Sequence, residues 1–108
     1  MLLNEYGQRL DGNGYAPSVI QSDMNRCYIC RCRGAKLDRH EIYQASNRDK
    51  SKRYGCWILI CHDYCHLNGV HNDAALRDLL QKECQQKAME TYHWSADDFT
   101  NIFGKNYL

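Results

Sequence analysis

No stretch of this chain approaches the roughly 18 consecutive apolar residues that a membrane-spanning helix requires. The longest apolar run is Cys56-Trp57-Ile58-Leu59-Ile60-Cys61, which reads as a buried strand. The first twenty residues lack the apolar core of a secretory leader. A soluble, cytoplasmic protein with no membrane association is therefore expected. Proline occurs once, at Pro17, and excludes a helix interior there. Internal repeats and low-complexity tracts are absent, which sets aside repeat architectures. Net charge is almost absent as well, at +1. At 108 residues the chain is long enough for one domain, but its apolar core alone gives only marginal stability.

Cysteine, by contrast, is plentiful. Seven is an odd number, so a complete disulfide framework would leave one thiol over. A reducing compartment, with some of the thiols on a metal ion, is the simpler reading. Cys27-x-x-Cys30 has the spacing that lets two sulfurs face one ion across a tight turn. Cys61-x-x-x-Cys65 follows 31 residues after Cys30, and the two pairs together supply four soft ligands for one tetrahedral Zn²⁺. The second pair is one residue looser than usual, so His62 or His66 is an alternative to Cys65 as the fourth ligand. Cys32 is a spare, while Cys56 and Cys84 read as packing residues.

Residues 1–25, rich in Gly, Asn and Asp, read as an extended arm turned at Asp11-Gly12-Asn13-Gly14, with Tyr15 to Ile20 lying along the domain of residues 26–108. Leu37 to Tyr43 reads as a short strand, Gln44 to Tyr54 as a basic loop with a helical turn, and Trp57 to Cys61 as a second strand. Asn72 or Asp73 can cap a helix of about five turns. Its apolar stripe is Leu76, Leu79, Leu80, Cys84, Ala88 and Tyr92. Ser95 opens a short terminal helix with Phe99, Ile102 and Phe103 on its apolar side, and Gly104 ends it. His93, beside Trp94, reads as a packing residue between the two helices. The expected class is α+β: a small zinc-stapled domain whose knuckle, strand, strand, knuckle and helix follow the order of a treble clef, which contains a ββα unit.

Charge is unevenly spread. Residues 26–53 hold nine basic side chains against three acids, whereas residues 62–108 hold four against seven. Such a basic face suits a phosphate backbone. Arg39, Arg48, Lys50, Lys52 and Arg53 are the candidate contacts to nucleic acid. Tyr28, Tyr43, Tyr54 and Trp57 are interleaved with them; Trp57 is assigned to the core, and Tyr43 and Tyr54 stay open between core and base stacking.

From Leu37 onward the chain resembles the HNH endonucleases, especially small phage and prophage members. The likeness rests on Arg39-His40-Glu41-Ile42-Tyr43, the Asn47-Arg48 to Ser51 and Tyr54-Gly55 loop, Leu59-Ile60-Cys61 with Cys65-His66, Gly69-Val70-His71, and Ile102-Phe103-Gly104-Lys105-Asn106-Tyr107-Leu108. The resemblance implies metal-assisted hydrolysis of a phosphodiester bond, with DNA the expected partner and Mg²⁺ or Mn²⁺ the catalytic ion, separate from the structural Zn²⁺. It makes His40 the general base, Glu41 and His66 ligands of the catalytic ion, and His71 a further ligand or phosphate contact. Asn47 stands in for the family's middle asparagine. Family members place two adjacent histidines, or Asp-His, where this chain has His40-Glu41, so the roles of base and ligand are open to exchange. Two other readings are a treble-clef module that binds nucleic acid without cutting it, and a phage factor acting on a host protein.

Overall fold

The computed structural model describes residues 2–108. Strand β1 (Leu37–Glu41) pairs antiparallel with β2 (Trp57–Cys61), placing Asp38 opposite Ile60 and His40 opposite Ile58. Because side chains alternate along a strand, Asp38 and His40 share one face of this ribbon while Arg39 and Glu41 share the other. The first strand is shorter than the sequence suggests. Ser51 ends it, its hydroxyl accepting from the Tyr43 N–H at 3.1 Å and donating to the Tyr43 carbonyl at 2.7 Å.

Four of the five β2 residues are buried, as its unbroken apolar character predicts. A two-stranded ribbon leaves one edge of β2 open, and the arm closes it. Gln21 Oε1 accepts the Leu59 N–H at 2.7 Å, and the Leu59 carbonyl accepts from Tyr28 N at 2.9 Å. Trp57 Nε1 donates to the Ala16 carbonyl, and Ser18 Oγ to the Trp57 carbonyl. Tyr15 to Ile20 thus lie along the domain as expected, and the predicted turn is made by Asp11, whose carboxylate accepts from the N–H groups of Asn13 and Tyr15.

Between the strands the basic segment is more regular than a loop: a 3₁₀ turn, Ala45–Asn47, leads into helix α1 (Arg48–Arg53). Gly55 then returns the chain to β2 at φ +75°, a left-handed value that a side chain rarely tolerates. After β2 the backbone winds through a π-helical turn, His62–Gly69, and a 3₁₀ turn, Val70–Asn72.

Asp73 caps helix α2 (Ala74–Tyr92) by accepting the Leu76 N–H at 3.0 Å. Leu80, Cys84, Ala88 and Tyr92, spaced at i+4, are buried along it. Leu79 is not; it lies about 100° from Leu80 around the axis and is 59% exposed. Gln85 takes a buried place instead, bonding Asn106 and the Tyr107 N–H of the C-terminal segment. His93 is exposed and forms the left-handed C-cap of α2 at φ 58°, so it is a cap and not a packing residue. Helix α3 (Ala96–Phe103) opens with the predicted Ser95 capping box and ends at Gly104. Its Phe99 and Phe103 pack on Tyr43, and Trp94 packs on Tyr54. Tyr43 and Tyr54 are thereby core residues. No helix of the described residues is long and apolar enough to cross a membrane.

Candidate metal centres

Two clusters of metal-ligating side chains flank the π-helical turn. The first is the predicted set of thiols: the sulfurs of Cys27, Cys30, Cys61 and Cys65 all lie within 4.8 Å of one another. Cys30 Sγ and Cys61 Sγ are 3.9 Å apart. Zn–S bonds of about 2.3 Å in a tetrahedron put sulfurs about 3.8 Å apart, so the Cys30–Cys61 pair already has the spacing such an ion needs and the group as a whole could hold one. Backbone N–H groups point at two of the sulfurs, Cys30 N to Cys27 Sγ at 3.4 Å and Cys65 N to Cys61 Sγ at 3.3 Å. Those dipoles favour negative charge on sulfur. Burial pushes the Cys65 thiol up, and the neighbouring Cys61, Cys27 and Cys30 add to the rise. Cys30 falls to about 6, chiefly because the Cys32 N–H bonds its sulfur. Four crowded sulfurs ionise together only with a cation among them.

Cys65, with its three intervening residues, completes this group; His62 and His66 do not belong to it. The extra residue is absorbed by the wider π-helical winding, which hydrogen-bonds i to i+5. His66, one position on, points to a different side of this turn from Cys65. It faces the second cluster.

That second cluster is formed by His40, His66 and His71, whose ligand nitrogens also lie within 4.8 Å of one another. His40 comes from β1, His66 from the π-helical turn and His71 from the 3₁₀ turn. Their ring centroids are 5.7, 5.5 and 4.9 Å apart for the pairs His40–His66, His40–His71 and His66–His71. His40 is 4% exposed. Burial, with the charges of His71, His66 and Arg48 added, lowers it to about 4. His71 is lowered too, by burial and then by His66 and Arg77. Both imidazoles are thus held neutral near pH 7, the form that ligates a metal.

Asp38, two residues before His40 and on the same strand face, accepts from His66 Nδ1 at 2.9 Å and also bonds His62 Nδ1. Those bonds hold the Asp38 carboxyl below its ordinary range. With Nδ1 of His66 engaged, its Nε2 is the nitrogen left for the cluster, an arrangement of carboxylate, histidine and ion common at metal sites. Asp38, His62 and His66 also form a ligand group of their own.

The other predicted site residues lie elsewhere. Glu41 faces away from His40 and accepts from the Tyr15 hydroxyl at 3.2 Å, so it is not brought to the imidazoles. Asn47 donates through Nδ2 to the Phe103 carbonyl at 2.8 Å, tying α1 to the end of α3. The basic run is largely engaged within the molecule. Arg39 pairs with Asp11 at 3.0 Å and lies over Tyr15 and Trp57. Lys50 donates to the Ile102 carbonyl, Lys52 lies over Tyr15, and Arg53 pairs with Glu5. Arg48 has no carboxylate partner among the described residues.

Beside His40 opens a cavity of about 150 Å³ lined by His40, Ile42, Gln44, Arg77, Leu80 and Gln81. Sequence reasoning missed Asp38 and Arg77. The i, i+2 rule of a strand was signal enough for Asp38. Arg77 carries none, because its position depends on the turn that precedes α2. No family model, curated protein or solved structure matches this chain.

Proposed function

We propose that this protein is a metal-dependent phosphodiesterase of the HNH type acting on nucleic acid, expected to be DNA, and that its scaffold is a zinc-stapled treble clef. The observation that carries this reading is the convergence of His40, His66 and His71, with His40 also lining a cavity, beside a separate four-thiol cluster. The division matches the division of labour that the reading needs. Four sulfurs make a closed site suited to structural Zn²⁺, whereas three imidazoles make an open one.

Imidazole donors suit Zn²⁺ or Ni²⁺ better than Mg²⁺, which prefers oxygen, and the donor set therefore shifts the expected ion away from Mg²⁺. Such an ion supplies Lewis-acid polarisation of a phosphoryl oxygen and acidifies water. The chain's own part is to hold three imidazole nitrogens in place. His40 contributes the buried one, and Asp38 fixes the orientation of His66. With the three nitrogens within 4.8 Å of one another, His40 serves as a ligand in this reading, and Glu41, turned toward Tyr15, takes no part. A module that binds nucleic acid without cutting draws less support, since Arg39, Lys50 and Arg53 are engaged within the fold.

Supercoiled plasmid tests the reading. Purified protein is expected to open it to circles when Zn²⁺, Ni²⁺ or Mn²⁺ is added. His40→Ala is expected to lose at least about a hundredfold in rate while retaining one thiol-bound Zn²⁺ per chain. Cutting by His40→Ala at the wild-type rate would end the assignment.

A further inference from the structure

Arg33, Arg39 and Arg53 are each neutralised by a carboxylate, from Asp23, Asp11 and Glu5. Arg9, Arg26, Arg31, Arg48 and Arg77 have no such partner among the described residues, and of these Arg77 lines the cavity that holds His40. Arg77, in the first turns of α2, donates from Nη1 to the carbonyls of Val70 and His71, both at 3.0 Å. Two carbonyls acting on one nitrogen fix the guanidinium while leaving most of its five N–H donors unspent.

That fixed cation shares the cavity with His40, and the cavity has no acidic side chain in its wall. The cavity wall thus carries one fixed cation and no acid, and Asp38, the carboxylate at the imidazoles, is engaged by His66 and His62, so an ion on the imidazoles would add further positive charge there. A small polyoxygen anion satisfies all of these groups at once. Guanidinium forks match phosphate oxygens in pairs, and a side chain already immobilised on backbone carbonyls gives up little further entropy on binding.

We infer that Arg77 is the phosphate-binding element of the cleft beside His40, holding non-bridging oxygens of a phosphate group against an ion on the imidazoles. The inference rests on the ion-binding part of the proposed function and not on hydrolysis. The phosphate can belong to a nucleic-acid backbone or be free; the chemistry is shared.

The test is calorimetric titration of the full chain, loaded with Zn²⁺ at the thiols and Ni²⁺ at the imidazoles, with inorganic phosphate and separately with a short DNA duplex. Arg77→Gln is expected to weaken phosphate binding about tenfold or more, with Ni²⁺ affinity unchanged. For the duplex, it should lower the salt dependence of binding by about one phosphate contact. A duplex effect without an inorganic phosphate effect supports the same element with the backbone as its source. Arg77 also ties the Val70–Asn72 turn to α2, so Arg77→Lys, which keeps the charge and a donor for those carbonyls, is measured beside it and is expected to lose less of the phosphate binding. Unchanged affinity for both inorganic phosphate and the duplex in both variants overturns the inference. So does weakened phosphate binding that merely follows a loss of Ni²⁺ affinity. Plasmid cutting by His40→Ala, in contrast, bears on hydrolysis and leaves phosphate binding standing.

Discussion

Asp38 sets one carboxylate between two imidazoles, and the bond to His66 Nδ1 at 2.9 Å is the one that matters for an ion. It selects the tautomer of His66 and makes its other nitrogen a better donor. Asp38→Asn keeps the shape and removes the charge, so ion affinity at the imidazoles should fall about 10–100-fold. Competition with a chromophoric chelator measures this, and the thiol-bound ion serves as internal control. Unaltered affinity would reduce Asp38 to a surface ion pair. His40 yields a second outcome through pH. It titrates near its ordinary 6.5 in the unfolded chain and near about 4 when folded. Between those values the unfolded state holds the extra proton, so stability of the protein with empty imidazoles falls as pH drops from 6.5 toward 4. The effect is on the order of 3 kcal/mol. His71, shifted in the same direction, adds to it. Urea unfolding of wild type and His40→Ala across that window should show the shallower slope in the variant; equal slopes would place the acid sensitivity elsewhere. The structure groups His40, His66 and His71, which the resemblance singles out one by one and in different roles. Glu41, carried over from the same motif, lies on the opposite strand face by the alternation that puts Asp38 on the face of His40.

At the scale of elements, the segments whose signals are local came through. The Ser95 capping box, the Gly104 stop and the Asp73 cap need only a few neighbouring residues to specify them. The basic loop that became α1 and the stripe that lost Leu79 depend on what packs against them, which periodicity alone does not carry. The π-helical turn was illegible for the same reason, although it reconciles the loose second cysteine pair with a four-thiol cluster and points His66 away from it. The join between arm and sheet is tested at Gly55. A Cβ there would lie 2.1 Å from the Pro17 carbonyl oxygen, at φ +75°. Gly55→Ala must therefore carry backbone strain and displace the arm, losing the bond from Val19 N to the Gly55 carbonyl. Roughly 2–4 kcal/mol of destabilisation is expected in urea unfolding. A change within about 0.5 kcal/mol would mean that the arm is not docked along β2.

The whole molecule is held by contacts that the thiol cluster brings together across the chain. Cys27 and Cys30 lie before β1, Cys61 and Cys65 at and beyond the end of β2, so one ion closes a loop around both strands. This long-range feature was legible because each half of the ligand set is a local spacing; the trihistidine cluster, with one member on a strand and two on irregular turns, has no such local signature. If the four thiols hold Zn²⁺, a domain of this size with so short a sheet would draw a large part of its stability from the ion, since apparent binding free energies at structural Zn²⁺ sites reach about 10–16 kcal/mol. Removal of the ion by a strong chelator is expected to abolish near-ultraviolet dichroism and cooperative unfolding together, and re-addition of Zn²⁺ to restore both. Thiol counting gives the sharper readout. With Zn²⁺ bound, four thiols are held by the ion, and Cys56 and Cys84 are buried at 0% exposure, which leaves Cys32 to react. A disulfide-exchange reagent should therefore modify one thiol quickly in the loaded protein and all seven after chelation. Rapid reaction of three or more thiols in the loaded protein would mean that the sulfurs do not share an ion, and the strand bearing His40 would then lack the restraint that sets it beside His66 and His71.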